Sequence, residues 1–214
     1  MAYDYLAGSW QGFIQEIVFL VGQGYLFYHV TELPERKRDK WPEIDRKLIG
    51  KYKTDKSKFQ RCRLKEKRVS NIFYLRYEST AIIMHTHGSI DHVLYDDRFS
   101  DICEKPMTLK VSDNISLVVY VNDGVCSVRF TKETYAGFKA VIADVAKTKN
   151  RWEIMRTFNF INGIPAFSGI IGQKKRLALW TVKQSRKHQV ALKKTDLRVN
   201  TRRKIYKVWI SPEA

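Results

Sequence analysis

The chain has 214 residues, of which 44% are hydrophobic and 13% aromatic, and its formal net charge is +17. This composition excludes a disordered basic tail, because such a tail lacks the apolar side chains needed for a core. The three cysteines, Cys62, Cys103 and Cys126, are too few and too widely spaced for a disulfide framework or a structural zinc site. We therefore expect reduced thiols in a cytoplasmic protein.

The N-terminal quarter is predicted to contain a hairpin followed by two helices. Residues 14–21 and 25–31 are rich in β-branched and aromatic side chains and flank a Gly-Gln-Gly turn, which predicts two paired strands. Glutamines, glycines and a glutamate interrupt this apolar region, so neither a signal peptide nor a membrane-spanning helix is predicted. Pro42 at a first helical turn predicts a helix over residues 42–53. Ser57 as an N-cap predicts a second, strongly cationic helix over residues 57–67.

The middle of the chain is predicted to be mainly strands. Residues 71–77 and 80–87 are strong strand formers separated by two turn residues, which indicates a hairpin. Three more strands are expected at residues 107–111, 115–121 and 125–130, the last two joined by an Asn-Asp-Gly turn.

The C-terminal part is predicted to be mainly helical. Thr131 caps a helix expected over residues 132–148, another helix is expected over 170–187, and residues 197–210 are predicted to return as a strand. Together the elements predict an α+β protein with a mostly antiparallel sheet and helices grouped on one side or end. We expect an α+β core domain over residues 1–150 and a basic, helical extension over residues 151–214 that packs on it.

The positive charge is concentrated in two segments. Residues 51–68 hold nine lysines and arginines against two acids, and residues 174–207 hold thirteen against one. Their net charges are +7 and +12, so the remainder of the chain is slightly acidic. Such concentration is typical of a polyanion binder, because each Lys or Arg that neutralises a phosphate releases condensed counterions.

These two segments predict a nucleic-acid-binding protein. RNA is favoured over DNA, since no helix-turn-helix, zinc-finger or RNP-type motif is recognisable. We expect a subunit of a ribonucleoprotein or mobile-element complex, without a membrane partner, that clamps the phosphate backbone while Tyr52, Phe59, Trp180 and Tyr206 are available to stack on bases. A merely solvated surface is the simpler alternative, and an inhibitor that binds another complex's nucleic-acid channel is a further one. The predicted contact residues are Lys56, Lys58, Arg61, Arg63, Lys65, Lys67, Arg68, Arg76, Lys174, Lys175, Arg176, Trp180, Lys183, Arg186, Lys187, Arg198, Arg202 and Arg203.

A histidine pair offers a different function. His85 and His87 stand two residues apart on a predicted strand, so both imidazoles point to one face and suit a divalent metal. The pair resembles the His-hydrophobe-His element of HUH endonucleases, although Thr86 replaces the hydrophobe. That resemblance implies Mg²⁺ or Mn²⁺ as cofactor, Tyr135 as nucleophile towards a DNA phosphate, and Asp91 or a later carboxylate as third ligand. Outside this alternative no cofactor is expected, Tyr135 is a core residue and the histidines form a polar strand end.

Four short elements carry a wider resemblance: residues 44–49 (Ile-Asp-Arg-Lys-Leu-Ile), Arg61-x-Arg63-x-Lys65, Asn71-x-x-Tyr74-Leu75-Arg76 and Thr86-His87-Gly88. They are similar to a group of uncharacterised bacterial proteins that is common in planctomycetes and cyanobacteria and is associated with mobile elements. The similarity continues through residues 135–139 and 202–203. It implies no established activity, and in that group His87 has a counterpart whereas His85 does not. It suggests that the basic run and the two strand elements form one functional surface.

Overall fold

The computed structural model describes residues 4–89 and 98–210. Across these residues the chain forms six α-helices and two antiparallel sheets, which confirms the predicted α+β class. The helices are α1 (Trp10–Gly22), α2 (Trp41–Tyr52), α3 (Lys58–Glu66), α4 (Lys132–Lys147), α5 (Arg151–Asn162) and α6 (Ser168–Lys187). The strands are β1 (Tyr25–Glu32), β2 (Ile72–Tyr77), β3 (Thr80–Thr86), β4 (Ser100–Asp101), β5 (Met107–Ser112), β6 (Ile115–Asn122) and β7 (Val125–Phe130).

The chain divides into two compact units. The first contains Met1–Met107, Val121–Cys126 and Ile205–Ala214, and the second contains Thr108–Tyr120 and Ser127–Lys204. The domain boundary expected near residue 150 falls within the second unit, between α4 and α5. These two helices contact each other and both contact α6, so the three form one helical layer.

The first unit is built around a four-stranded sheet with the order β2-β3-β1-β4. The predicted hairpin is confirmed as β2 and β3, which pair antiparallel, and β1 pairs antiparallel with β3 on its other side. Helices α2 and α3 also lie where the sequence indicated. The N-terminus of α3 is held by a capping box, in which Ser57 accepts from the Gln60 backbone and the Gln60 side chain accepts from the Ser57 backbone.

The predicted N-terminal hairpin is wrong, because residues 10–22 form a helix, although its second arm is confirmed as β1. Phe13, Ile17 and Leu20 recur at helical spacing and are buried, and Ser9 caps the helix by accepting from the Gly12 N–H at 3.2 Å. The residue types favour a strand, but the 3.6-residue period buries one continuous apolar face only in a helix.

The second unit joins a three-stranded sheet, ordered β5-β6-β7, with helices α4 to α6. The three predicted strands, the Thr131-capped helix and the long basic helix are confirmed, whereas α5 had no predicted counterpart. Gln173 of α6 bonds both backbone groups of Phe130: its Oε1 accepts from the Phe130 N–H at 2.7 Å, and its Nε2 donates to the Phe130 carbonyl at 3.1 Å. A Cβ at Gly169 would lie 2.5 Å from the Val128 carbonyl oxygen, so only glycine permits this approach of α6 to β7.

The strand predicted over residues 197–210 does not form. Residues 191–204, here called the C-terminal strap, run as irregular chain around one short 3-10 turn (Lys194–Asp196) and are anchored by buried Leu192 and Leu197. Their backbone pairs with side chains instead of a strand: Asn162 donates to the Arg198 carbonyl at 2.9 Å and accepts from the Asn200 N–H at 2.7 Å. Farther on, only an isolated bridge of Trp209 with Ala7 has strand geometry among the described residues of this segment.

No helix in the described part of the chain is both long and apolar enough to cross a membrane.

Candidate nucleic-acid interface

The exposed face of α6 is basic and contains no acid. Lys175, Arg176, Lys183, Arg186 and Lys187 are all exposed, and the 100° advance per residue places them within one third of the helix circumference. Their Cα atoms span about 18 Å along the helix axis, given a rise of about 1.5 Å per residue. None of the five forms an ion pair with any described residue. This basic face of α6 therefore presents an uncompensated positive charge.

The C-terminal strap extends this charge along α5. At one end, Arg151 at the start of α5, Arg186 at the end of α6 and Lys193 line a depression of about 470 Å³. At the other end, Asn162 at the end of α5 lines a depression of about 410 Å³ with Arg198 and Arg202 of the strap. The strap thus follows α5 from its first to its last turn and places exposed cations at both ends.

The acid of the strap, Asp196, is locally neutralised. Its carboxylate accepts from the Lys193 backbone N–H at 2.9 Å and lies 3.0 Å from Nη2 of Arg151. The Lys193 backbone N–H has the larger effect and Arg151 the next, and both lower the pKa of Asp196 below its usual value. The carboxylate consequently stays ionised and paired with Arg151, so it cancels one of the three positive charges that line the depression.

An exposed aromatic pair lies on α5. Trp152 and Phe160 are 78% and 70% exposed, and Arg156 stands midway between them at spacings of four residues. We define these three residues as the aromatic stripe. The stripe was not among the predicted contacts, because no individual helix was predicted over residues 151–162; the i, i+4, i+8 spacing of the three residues was the available signal.

The net charge of the chain belongs almost entirely to the second unit. Its residues include 20 lysines and arginines against five acids, a net charge of +15, whereas the first unit has 19 against 17, a net charge of +2. The predicted concentration of charge in the C-terminal segment is therefore a property of a whole folded unit.

The first basic segment includes residues with two different roles. Lys58, Arg63, Lys65, Lys67 and Arg68 are exposed and remain candidates for phosphate contact, and Lys56 is half-buried. The ring of Phe59 is 80% exposed beside them, whereas Tyr52 is only 5% exposed and is not available for stacking.

Arg61 is a structural residue in this segment. Its guanidinium donates to the carbonyls of Thr54, at 2.6 Å, and Ile72, at 2.8 Å, and its Nε donates to the Lys56 carbonyl at 3.1 Å. It also lies 4.9 Å from the ring centroid of Phe73. These bonds tie the turn before α3 to the first residue of β2, so the predicted phosphate contact is replaced by a positioning role.

Arg76 was also predicted as a contact and is instead buried, at 5% exposure. Its guanidinium bonds both carboxylate oxygens of Asp45, at 2.8 to 3.1 Å, and the same carboxylate accepts from the Tyr74 hydroxyl at 2.6 Å. Burial alone would lower the pKa of Arg76, but Asp45 raises it, while burial and Asp45 both raise the pKa of Tyr74. The wider resemblance thus rests partly on residues that hold α2 against β2.

Two predicted contacts on α6 are likewise turned away from the surface. Lys174 is fully buried, and its Nζ donates to the carbonyls of Asn162 and Ile164 at the end of α5. Trp180 is half-buried, donates to the Lys139 carbonyl at 3.1 Å and has the Lys139 ammonium 4.4 Å from its ring centroid. Both side chains donate to backbone carbonyls of neighbouring helical segments, and Lys174 is buried while Trp180 keeps part of its surface exposed.

His85 lies in β3 and His87 directly follows its last residue, and both rings lie on one side, as predicted, because both contact Phe27. His85 is only 4% exposed, and burial lowers its pKa. Its ring stacks on Phe27 and stands edge-on to Phe99, with 4.6 Å between the His85 and Phe99 ring centroids. His87 is exposed. Asp91, the expected third ligand, lies outside the described residues; within them no group of three metal-binding side chains occurs.

Tyr135, the nucleophile expected from the HUH resemblance, is half-buried on α4 with the Lys139 ammonium 5.7 Å from its ring centroid. It belongs to the second unit and the histidines belong to the first.

Comparison of the chain with protein-family models, with curated proteins and with solved structures found no significant match. The function must therefore be inferred from the charge, exposure and geometry of the residues described above.

Proposed function

We propose that the protein binds nucleic acid through its second unit, with RNA preferred to DNA. The observation that carries the proposal is the basic face of α6: five exposed cations on one side of a helix, free of ion pairs among the described residues, in a unit of net charge +15. A surface kept basic only for solubility would intersperse acids among the cations, and this face has none.

The physical basis is the release of counterions from the phosphate backbone. Each phosphate neutralised on a single strand contributes about −0.7 to the slope of log K against log salt, and on duplex DNA about −0.9. Engagement of the five cations of the α6 face would give a slope of about −3.5 on single-stranded RNA. The strap residues Arg198, Arg202 and Arg203 would steepen it further.

The first unit has a secondary role in this proposal. The exposed cations of α3 provide a second basic surface, but the acids of the same unit nearly cancel its net charge. We expect α3 to add affinity after the second unit has bound. A cytoplasmic protein that works as a subunit of a ribonucleoprotein or mobile-element complex fits this chemistry.

The HUH endonuclease alternative is not proposed, because the packing of His85 between Phe27 and Phe99 gives it no support. The channel-inhibitor alternative uses the same basic surface and becomes an outcome of the test below.

The test compares two triple charge reversals in the full chain. Lys183→Glu, Arg186→Glu and Lys187→Glu alter the α6 face, and the control combines Lys110→Glu, Lys132→Glu and Lys147→Glu on other exposed positions of the same unit. Both variants have the same net charge. Dissociation constants for fluorescein-labelled single-stranded RNA and DNA of one sequence are measured by anisotropy at four salt concentrations.

We expect the α6 variant to lose about two units of salt slope and the control to stay near the wild-type slope. Absence of salt-dependent binding by the wild-type chain, or an equal loss in both variants, would refute the proposal. An inhibitor of another complex would be recognised by retention of a protein partner after nuclease treatment together with no affinity for free RNA or DNA.

A further inference from the structure

We infer that the second unit recognises unpaired bases, and that Trp152 and Phe160 of the aromatic stripe are the residues on which those bases stack. This inference rests on the proposed function and names its ligand class: single-stranded nucleic acid rather than duplex. It is carried by three observations on the stripe, namely the exposure of the rings, their spacing and the exposed arginine between them.

The two rings are exposed far beyond what packing requires. Trp152 is 78% and Phe160 is 70% exposed, while the neighbouring residues Ile154, Phe158 and Ile161 supply the buried face of α5. Neither exposed ring contacts another aromatic ring or a cation among the described residues, unlike Trp180 and Phe167, which are covered by Lys139 and Arg203. The rings of Trp152 and Phe160 are therefore both open to a ligand.

The spacing of the rings matches a short run of nucleotides. Positions 152 and 160 are eight residues apart, which corresponds to about 12 Å along the helix and an angular offset of about 80°. At the about 3.4 Å per nucleotide of stacked, duplex-like bases, this distance covers at most roughly three to four nucleotides, and fewer if the single strand is extended. Arg156 lies between the rings, where its planar guanidinium can stack on a base or contact a phosphate.

Positive charge determines the occupant, because Arg156 lies between the rings and the unit has a net charge of +15. The strap follows α5 and brings Lys193 near its first turn and Arg198 and Arg202 near its last turn. An apolar protein partner would gain nothing from these cations. A single strand, in contrast, presents phosphates to the cations and base faces to the two rings. In a duplex the base faces are stacked inside, so a helix with protruding rings cannot use them.

The experiment separates stacking from charge. Binding of a 12-nucleotide unstructured RNA and of the 12-base-pair duplex of the same sequence is measured for the wild-type chain, Trp152→Ala, Phe160→Ala and the double variant. We expect each single variant to weaken single-strand binding about 5- to 150-fold, the range for loss of one stacked base. The salt slope should stay at the wild-type value, because no phosphate contact is removed.

Two controls show that the loss comes from the ring. Trp152→Phe should retain most of the affinity, since a smaller aromatic face remains, and Val141→Ala on α4, which trims a residue that is 49% exposed, should bind like the wild-type chain. Thermal unfolding should be unchanged in all variants because the substituted side chains are exposed. Trp152 fluorescence, isolated as the difference between the wild-type chain and Trp152→Phe, should be quenched by the single strand.

Wild-type affinity of the double variant for the single strand would overturn this inference, as would an equal loss on single strand and duplex. If the wild-type chain binds neither RNA, the proposed function itself fails. If it binds both with a steep salt slope and the aromatic variants match it, the basic surface binds nucleic acid and only the role of the stripe is refuted.

Discussion

Replacing Lys174 with methionine is expected to change how the free energy of unfolding depends on pH. The Lys174 ammonium is fully buried and donates to the carbonyls of Asn162, at 2.7 Å, and Ile164, at 2.5 Å. No carboxylate forms an ion pair with it among the described residues. Burial lowers the pKa of Lys174 from 10.5 to about 8, because two carbonyl dipoles replace bulk water only in part.

The sign of the effect follows from the protons bound in each state. Below pH 8 the amine of Lys174 is charged in the folded and unfolded chains, and the folded state bears the full cost of the buried charge. Between pH 8 and 10.5 the unfolded chain binds more protons, so the free energy of unfolding rises with pH. A shift from 10.5 to about 8 corresponds to about 3 kcal/mol gained between pH 7 and 10.5.

The assay is urea denaturation at half-unit pH steps from 7 to 10.5, followed by circular dichroism. Other lysines and tyrosines titrate in this range, so the quantity of interest is the difference between the wild-type chain and Lys174→Met at each pH. We expect this difference to move by about 3 kcal/mol in favour of the wild-type chain as pH rises. Lys175→Met, which removes an exposed neighbouring amine, is the control and should give a nearly flat difference. A flat difference for Lys174→Met as well would refute the burial of a charged amine at this position.

Three further changes test the first unit. Asp45→Asn leaves the Arg76 guanidinium buried without its counter-charge and should lower the free energy of unfolding by about 3–5 kcal/mol; Glu43→Gln, at an exposed pair, is the control, and similar losses in both would contradict the assignment. Gly88→Ala would place a Cβ 2.6 Å from a backbone nitrogen at a φ of +145°, so we expect a loss of about 1–3 kcal/mol by urea denaturation; wild-type stability would disprove the close approach. Arg61→Gln should lower the thermal midpoint, since several backbone carbonyls lose their donor; an unchanged midpoint with weaker RNA binding would restore Arg61 to the contact surface.

The elements that could be predicted are those with strong local signals. Ser57 and Thr131 mark helix starts because a short hydroxyl side chain satisfies backbone N–H groups within the same turn. Turn residues between β2 and β3, and between β6 and β7, similarly act over a few positions. Residues 14–21 of α1 were predicted as a strand because their β-branched and aromatic side chains favour a strand, whereas their apolar period favours a helix. Packing against the rest of the unit decides between the two conformations.

The net charge and its concentration in two segments follow directly from the residues of the sequence. Which cations are exposed to a ligand is decided only by the tertiary structure. The side chains of Arg61, Arg76 and Lys174 bond backbone carbonyls or a carboxylate, whereas their neighbours Arg63 and Lys175 are exposed. The spacing of the aromatic stripe was present in the sequence, but the exposure of its rings likewise depends on how α5 packs. Local sequence sets caps, turns and net charge because these depend on adjacent residues, whereas exposure and partners depend on which distant segments pack together.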